Sequence, residues 1–169
     1  MRASWLAPIA LIADQVSKAV VMATMDRGDS VALIGNVFRL TYIHNAGAAF
    51  GLRLGSPLIH IGVSLLAMAA LGWLFYTTPR ENRLMRAALG LVLGGALGNI
   101  VDRVRLHEVV DFLDFGIGNL RWPVFNLADS CVTVGIGLLF LSYSWRGQSG
   151  QAEDGGPTVT DAEERAFGG

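Results

Sequence analysis

Charge is scarce in this chain. Of its 169 residues only 16% are Asp, Glu, Lys or Arg, against 52% hydrophobic, and the mean hydropathy of +0.46 does not suit a surface that faces water on all sides. The net charge is -1, with no basic patch or tail, so nucleic acid is not an expected partner. Only one cysteine is present, Cys131, which excludes an internal disulfide and leaves it no partner for a metal cluster. No His-rich or Cys-rich ligand set argues for a metal, and no cofactor is expected. A Ser/His pair in a context that suits nucleophilic catalysis is missing as well.

What the chain has instead is apolar residues in blocks. Four windows are long enough to cross a bilayer, which takes roughly 20 residues of helix: Trp5 to Met25, Pro57 to Tyr76, Leu84 to Val101 and Asn126 to Trp145. The expected fold is an all-α membrane bundle of four transmembrane helices. The first window follows Arg2 and invites comparison with a cleavable signal peptide. Asp14, Gln15 and Lys18 interrupt its centre, so the segment is expected to be retained.

Within that first helix Asp14, Ser17 and Lys18 share one face and must look into the bundle, where an Asp four residues before a Lys satisfies itself. From Asp26 to Ser56 the chain turns polar, and Phe38 to Ile43 alternate with a period near two. That pattern predicts a small β-cradle over about 31–50, lying on the interface with Phe38 or Tyr42 toward lipid. Next comes Asn45-Ala46-Gly47-Ala48-Ala49-Phe50-Gly51, whose composition alone reads as a tight turn into the second helix. His60 reads as an interfacial residue of that helix, not a ligand.

Arg80, Arg83 and Arg86 crowd the short connection between the second and third helices. By the positive-inside rule this loop is cytoplasmic, which places both termini inside and residues 26–56 and 102–125 outside. Arginine totals on the two sides tie, so the orientation rests on the density of that loop. Beyond Trp145 the chain is rich in Gly, Ser, Thr and acid, and 147–169 is expected to be a disordered tail behind a four-helix transmembrane domain of residues 1–146.

The third helix repeats Gly90, Gly94 and Gly98, a spacing that lets membrane helices approach closely. At its outer end Asn99, Asp102 and Arg103 fall together, and a structural Asp102–Arg103 salt bridge is the expected arrangement. Residues 106–122 read as an outer loop along the interface, in which apolar neighbours flank Asp111 and Asp114. Pro123 precedes the last helix, Asn126 is its N-cap candidate, and Asp129 lies in its first turn.

Two acids near one membrane face suggest an aspartic peptidase arrangement. Carboxyl groups that share a proton leave one ionised to activate water and one neutral to protonate the carbonyl oxygen. Asp111 and Asp129 form the better pair, since Arg103 would hold Asp102 ionised. The dipole of the last helix favours Asp129 as the ionised base and Asp111 as the protonated acid. Structural acids and an ion-coupled transport site through Asp14, Lys18 and Asp102 stand as alternatives on spacing alone.

Five motifs go beyond spacing. DQVSK in the first helix, NAGAAFG before the second, GGALGNIVDR ending the third, VVDF in the outer loop and FNLADS opening the fourth occur in the order seen in the lipoprotein signal peptidases. The chain resembles that family over about residues 5 to 145. The resemblance implies a bacterial inner-membrane aspartic endopeptidase that removes the signal peptide from prolipoproteins, just before a diacylglyceryl-modified cysteine. It implies catalytic roles for Asp111 and Asp129, and dyad-supporting or substrate-binding roles for Asn45, Asn99, Asp102, Arg103, Asn126, Asp14 and Lys18. The implied fold is four transmembrane helices with a β-cradle on the periplasmic face, where the active site would lie. Expected partners are the lipidated precursors and membrane lipids, and a monomer is expected.

Overall fold

A computed structural model describes residues 5–46, 48–49, 52–53 and 57–153. Along it run α1 (Leu6–Thr24), β1 (Ser30–Ile34), β2 (Phe38–Asn45), β3 (Ala48–Ala49), β4 (Leu52–Arg53), α2 (Pro57–Thr77), α3 (Arg83–Leu106), β5 (Val109–Ile117), β6 (Leu120–Arg121) and α4 (Leu127–Glu153). The four helices fall on the four apolar windows, but α3 extends to Leu106 and α4 to Glu153. Residues 154–169 of the expected tail lie outside the described residues, as do Gly47, Phe50 and Gly51 and the side chain of His60. Among the described residues α1 and α3 are long and apolar enough to span a membrane, and shorter apolar stretches occupy Leu65–Thr77 and Leu127–Tyr143.

Helix α3 starts where the Asn82 side chain accepts the Met85 N–H at 3.3 Å, and stops at His107, whose φ of 61° turns the chain out of the helix. It packs against each of the other helices. Its glycines make that possible by letting backbones meet. A Cβ on Gly94 would strike the Ala7 carbonyl of α1, one on Gly98 the Asp14 carboxylate, and one on Gly95 the Ala128 carbonyl of α4. The sequence spacing thus finds the α1 contact through Gly94 and Gly98, while Gly95, off that repeat, supplies the approach to α4.

The segment expected to be an outer loop is strand. β5 is the third strand of an antiparallel sheet ordered β1-β2-β5-β6, so the cradle draws on 109–121 as well as on 30–45. Val109, Val110, Asp111 and Phe112 are all buried, which removes the alternation by which a half-exposed strand is recognised. Asp114, read as an interfacial loop residue, is buried too. It accepts Nε of Arg121 at 2.7 Å and the Thr41 hydroxyl at 2.7 Å. Burial pushes its carboxyl up, but the Arg121 hydrogen bond, with Thr41 and the arginine charges, holds it below the usual carboxylate range.

Tyr42 does not face lipid. With Val21, Val110 and Phe112 it forms a buried cluster, lined by Met22, Met25 and Leu106, that seats the sheet on the end of α1. Phe38 is half-buried and stacks on Phe115 with ring centroids 4.4 Å apart. The sheet is therefore fixed to the helices at the end where α3 stops and α4 begins.

Candidate active site

Three chain segments converge at that end. The left-handed turn at His107 sends the chain from α3 directly into β5, so that Asp111 comes back over the helix ends. After β6 the chain re-enters α4 at Asn126, and β2 ends at Asn45 alongside the start of β5.

Asp111 is 1% exposed. Its Oδ1 accepts Nδ2 of Asn126 at 2.7 Å and its Oδ2 accepts Nδ2 of Asn45 at 3.0 Å. Burial pushes its carboxyl up to about 6. The Asn45 hydrogen bond opposes that rise, the negative charge of Asp129 adds to it, and Asn126 and Lys18 oppose it further.

Asp129 is the third residue of α4, in its first turn. Its Oδ1 accepts Nδ2 of Asn99 at 2.7 Å, and its Oδ2 accepts the backbone N–H of Asn126 at 3.3 Å. In return its own N–H donates to Oδ1 of Asn126 at 3.0 Å, which makes the pair a reciprocal capping box with an Asp in the third helical position. Asn126 is fully buried and touches both acids, one through its side-chain amide and the other through the cap.

Beneath this pair lies a charged layer. Lys18 Nζ meets Asp14 Oδ2 at 2.9 Å, Asp102 Oδ2 at 2.8 Å and Asn99 Oδ1 at 3.1 Å, which uses its three protons. One lysine faces two acids, so the remaining carboxyl oxygens call for other donors. Asp14 Oδ1 accepts the Ala128 N–H at the start of α4 at 2.9 Å, Asp102 Oδ2 accepts the Val110 N–H at 3.2 Å, and Gln15 Nε2 donates to Asp102 Oδ1 at 3.0 Å. Through Asn99 the layer connects to Asp129, and through Val110 to the strand that carries Asp111.

The Asp102–Arg103 salt bridge does not form. Neighbours on a helix point about 100° apart, so Asp102 turns inward to Lys18 while Arg103 donates to its own helix at the Asn99 carbonyl, 3.4 Å away. Of the residues singled out in the sequence, Asp14, Lys18, Asn45, Asn99, Asp102, Asp111, Asn126 and Asp129 form one connected network. Sequence reasoning missed Gln15 as a member. It sits between Asp14 and Lys18 in the polar interruption of α1, and that placement was its only signal. Among the described residues no three His, Cys, Asp or Glu side chains are grouped to hold a metal ion.

A buried acid with a raised pKa, joined through one asparagine to a second acid at a helix N-terminus, can divide proton donation and proton acceptance between two carboxyls. Comparison with known proteins bears on which reaction that division serves. The family model described as signal peptidase (SPase) II matches residues 6–145. A lipoprotein signal peptidase of Symbiobacterium thermophilum is 46% identical over 138 residues, covering 80% of this chain and 90% of that protein. One from Halothermothrix orenii is 44% identical, covering 82% of this chain and 91% of that protein. A bacterial membrane enzyme structure obtained by the in meso method at 2.3 Å superposes with a TM-score of 0.79 at 34% identity, over 87% of this chain and 90% of that one.

Proposed function

Because this chain belongs to the signal peptidase II family, we propose that it is a membrane-embedded aspartic endopeptidase that cuts diacylglyceryl-modified prolipoproteins just before the lipidated cysteine. One observation carries the aspartic part of that reading. Asn126 bonds Asp111 with its side chain and exchanges two capping bonds with Asp129, so a single residue ties the two carboxyls into one unit.

Asp129 accepts N–H groups from Asn99 and from the start of α4, and it is assigned the role of proton acceptor. Asp111, raised to about 6 chiefly by burial, is the member that holds a proton. A water beside the pair loses a proton to Asp129 as its oxygen bonds the scissile carbonyl carbon, and Asp111 passes its proton to the carbonyl oxygen. As the tetrahedral intermediate collapses, the C–N bond breaks. The proton on Asp129 then goes to the leaving amine of the lipidated cysteine, and Asp111 recovers its own from the hydroxyl.

Asn45, Asn99 and Asn126 orient the carboxyls, while Asp14, Lys18 and Asp102 hold the strand and helix that carry them. Arg103 belongs to the rim of the site by position. The helices are read as four spans with both termini cytoplasmic and the dyad near the periplasmic face of a bacterial inner membrane, which suits a substrate whose acyl chains stay in the bilayer. Residues 1–146 form the peptidase domain, acting as a monomer, with the polar segment after it outside the chemistry.

The test is reconstitution with a diacylglyceryl-modified precursor. Asp111→Asn and Asp129→Asn should each abolish cleavage with the protein still folded. Near-normal cleavage by either variant would overturn the dyad, and equal cleavage of unlipidated precursor would overturn the substrate class.

A further inference from the structure

The back of the strands that carry Asn45 and Asp111 holds a polar chain that the proposed chemistry does not use. Tyr42 Oη lies 2.7 Å from His44 Nε2, His44 Nδ1 lies 2.9 Å from Glu108 Oε2, and Glu108 pairs with Arg27 at 3.2 Å. The His44 side chain is 15% exposed and Tyr42 is 7% exposed. Alternation along a strand puts Tyr42 and His44 on the face opposite Asn45, so none of these groups reaches the dyad.

The backbone shows why such a chain matters. The register between β2 and β5 breaks between Leu40 and Ile43, and Tyr42 spends its backbone groups on the connection after α1, accepting from Gly28 and donating to Asp29. Beyond the break only Ile43↔Asp111, His44↔Val110 and Asn45↔Val109 pair before the strand ends. A ladder this short is weakly held, and a slip of one residue would turn Asn45 away from Asp111.

We propose that His44 is a positioning residue: bonded to Tyr42 and Glu108, it locks the end of β2 onto the start of β5 and so holds the Asn45 amide on Asp111. The inference deepens the dyad reading and rests on it. The Glu108 carboxylate fixes one end of the chain. Slight burial pushes the Glu108 carboxyl up, but the His44 hydrogen bond and the charges of Arg27 and His44 outweigh it and keep Glu108 below the usual carboxylate range, as an acceptor. Nδ1 of His44 therefore donates to Glu108, while Nε2 and the Tyr42 hydroxyl share the second bond of the chain. The charged and titratable groups facing His44 are Tyr42, Glu108 and, through Glu108, Arg27. Those facing Asp111 are Asp129 and Lys18.

An amide that donates to a carboxylate favours its charged form, so loosening Asn45 raises the pH at which Asp111 titrates. The experiment follows the protonated-carboxyl infrared band of the reconstituted full chain, assigned to Asp111 by its loss in Asp111→Asn. In His44→Ala and Glu108→Ala the midpoint should rise by about half a pH unit, and kcat on lipidated precursor should fall about tenfold with KM within about twofold. Glu108→Gln, which still accepts from Nδ1, should keep the wild-type midpoint. Asn45→Ala should raise the midpoint too, and adding His44→Ala to it should shift it no further. An unchanged midpoint in His44→Ala and Glu108→Ala, or full additivity with Asn45→Ala, overturns the proposal. Because the band is read without turnover, an Asp111→Asn variant that still cleaved would remove the dyad reading and leave the midpoints to judge His44.

Discussion

Asn126 and Asp129 bond each other twice, the Asp129 N–H to the Asn126 side chain at 3.0 Å and the Asn126 N–H to the Asp129 side chain at 3.3 Å. The carboxylate proposed to take a proton from water is therefore also part of the device that starts α4. Stability and chemistry meet in one residue pair, and variants can separate them.

Asn126→Ala removes the cap and the amide on Asp111 together. The cap alone is worth about 1 kcal/mol, so the thermal midpoint in detergent should drop modestly. Cleavage of lipidated precursor should fall by about 100-fold or more, because both carboxyls lose a positioning bond. Asp129→Asn keeps one acceptor, which can serve the Asn126 N–H, but turns its amide nitrogen toward Nδ2 of Asn99, so the thermal midpoint should drop by no more than in Asn126→Ala while cleavage is abolished.

Lys18→Met should be among the most damaging changes outside the dyad itself. It leaves Asp14 and Asp102, both buried, without their cation. Stripping one partner from a buried ion pair costs about 3–5 kcal/mol. Adding Asp102→Asn to Lys18→Met should recover part of the loss, measurable as the denaturant midpoint of the purified protein.

The raised pKa of Asp111 sets two slopes. As the proposed proton donor, it must be protonated to act, so kcat/KM should decline about tenfold per pH unit above about 6. The sign for stability is the same. A carboxyl that titrates higher in the folded protein than in the unfolded chain favours folding while it is protonated. That contribution is complete below the ordinary value of 3.8 and is lost as pH rises to about 6. Thermal unfolding from pH 4 to pH 7 should show the decline, and Asp111→Asn should flatten it.

Glycine substitutions should divide by face. Gly95→Ala pushes a Cβ into the Ala128 carbonyl and should cost about 1–3 kcal/mol, with cleavage reduced because Ala128 lies next to Asp129. Gly137→Ala, where a Cβ meets nothing within 4 Å, should be neutral or slightly stabilising. His107→Gly should raise the thermal midpoint, since a side chain at φ 61° gives up about 1 kcal/mol that glycine does not.

The helices and the capping Asn126 were legible because length, apolar content and cap chemistry are local. Asp111 and Asp129, the proposed dyad, stand out in the sequence as acids set among apolar residues. β5 was not legible, because a strand buried on both faces carries no alternation, and its partner β2 lies far away in sequence. The Asp102–Arg103 pairing failed on helix geometry, since adjacency in sequence is divergence on a helix, and the true partner, Lys18, comes from another helix. Gln15 could be seen only as a polar interruption, because its bonds to Asp102 and to the Gly98 carbonyl exist only once α1 and α3 pack.

The Asp14 side chain bonds the Ala128 N–H across 114 positions of sequence. Asp14 lies in the first helix and Ala128 beside Asp129 in the last, so the support beneath the proposed dyad is complete only when the two ends of the helical bundle have met. The proposed chemistry is thus a property of the closed bundle, and no single segment of the chain carries it.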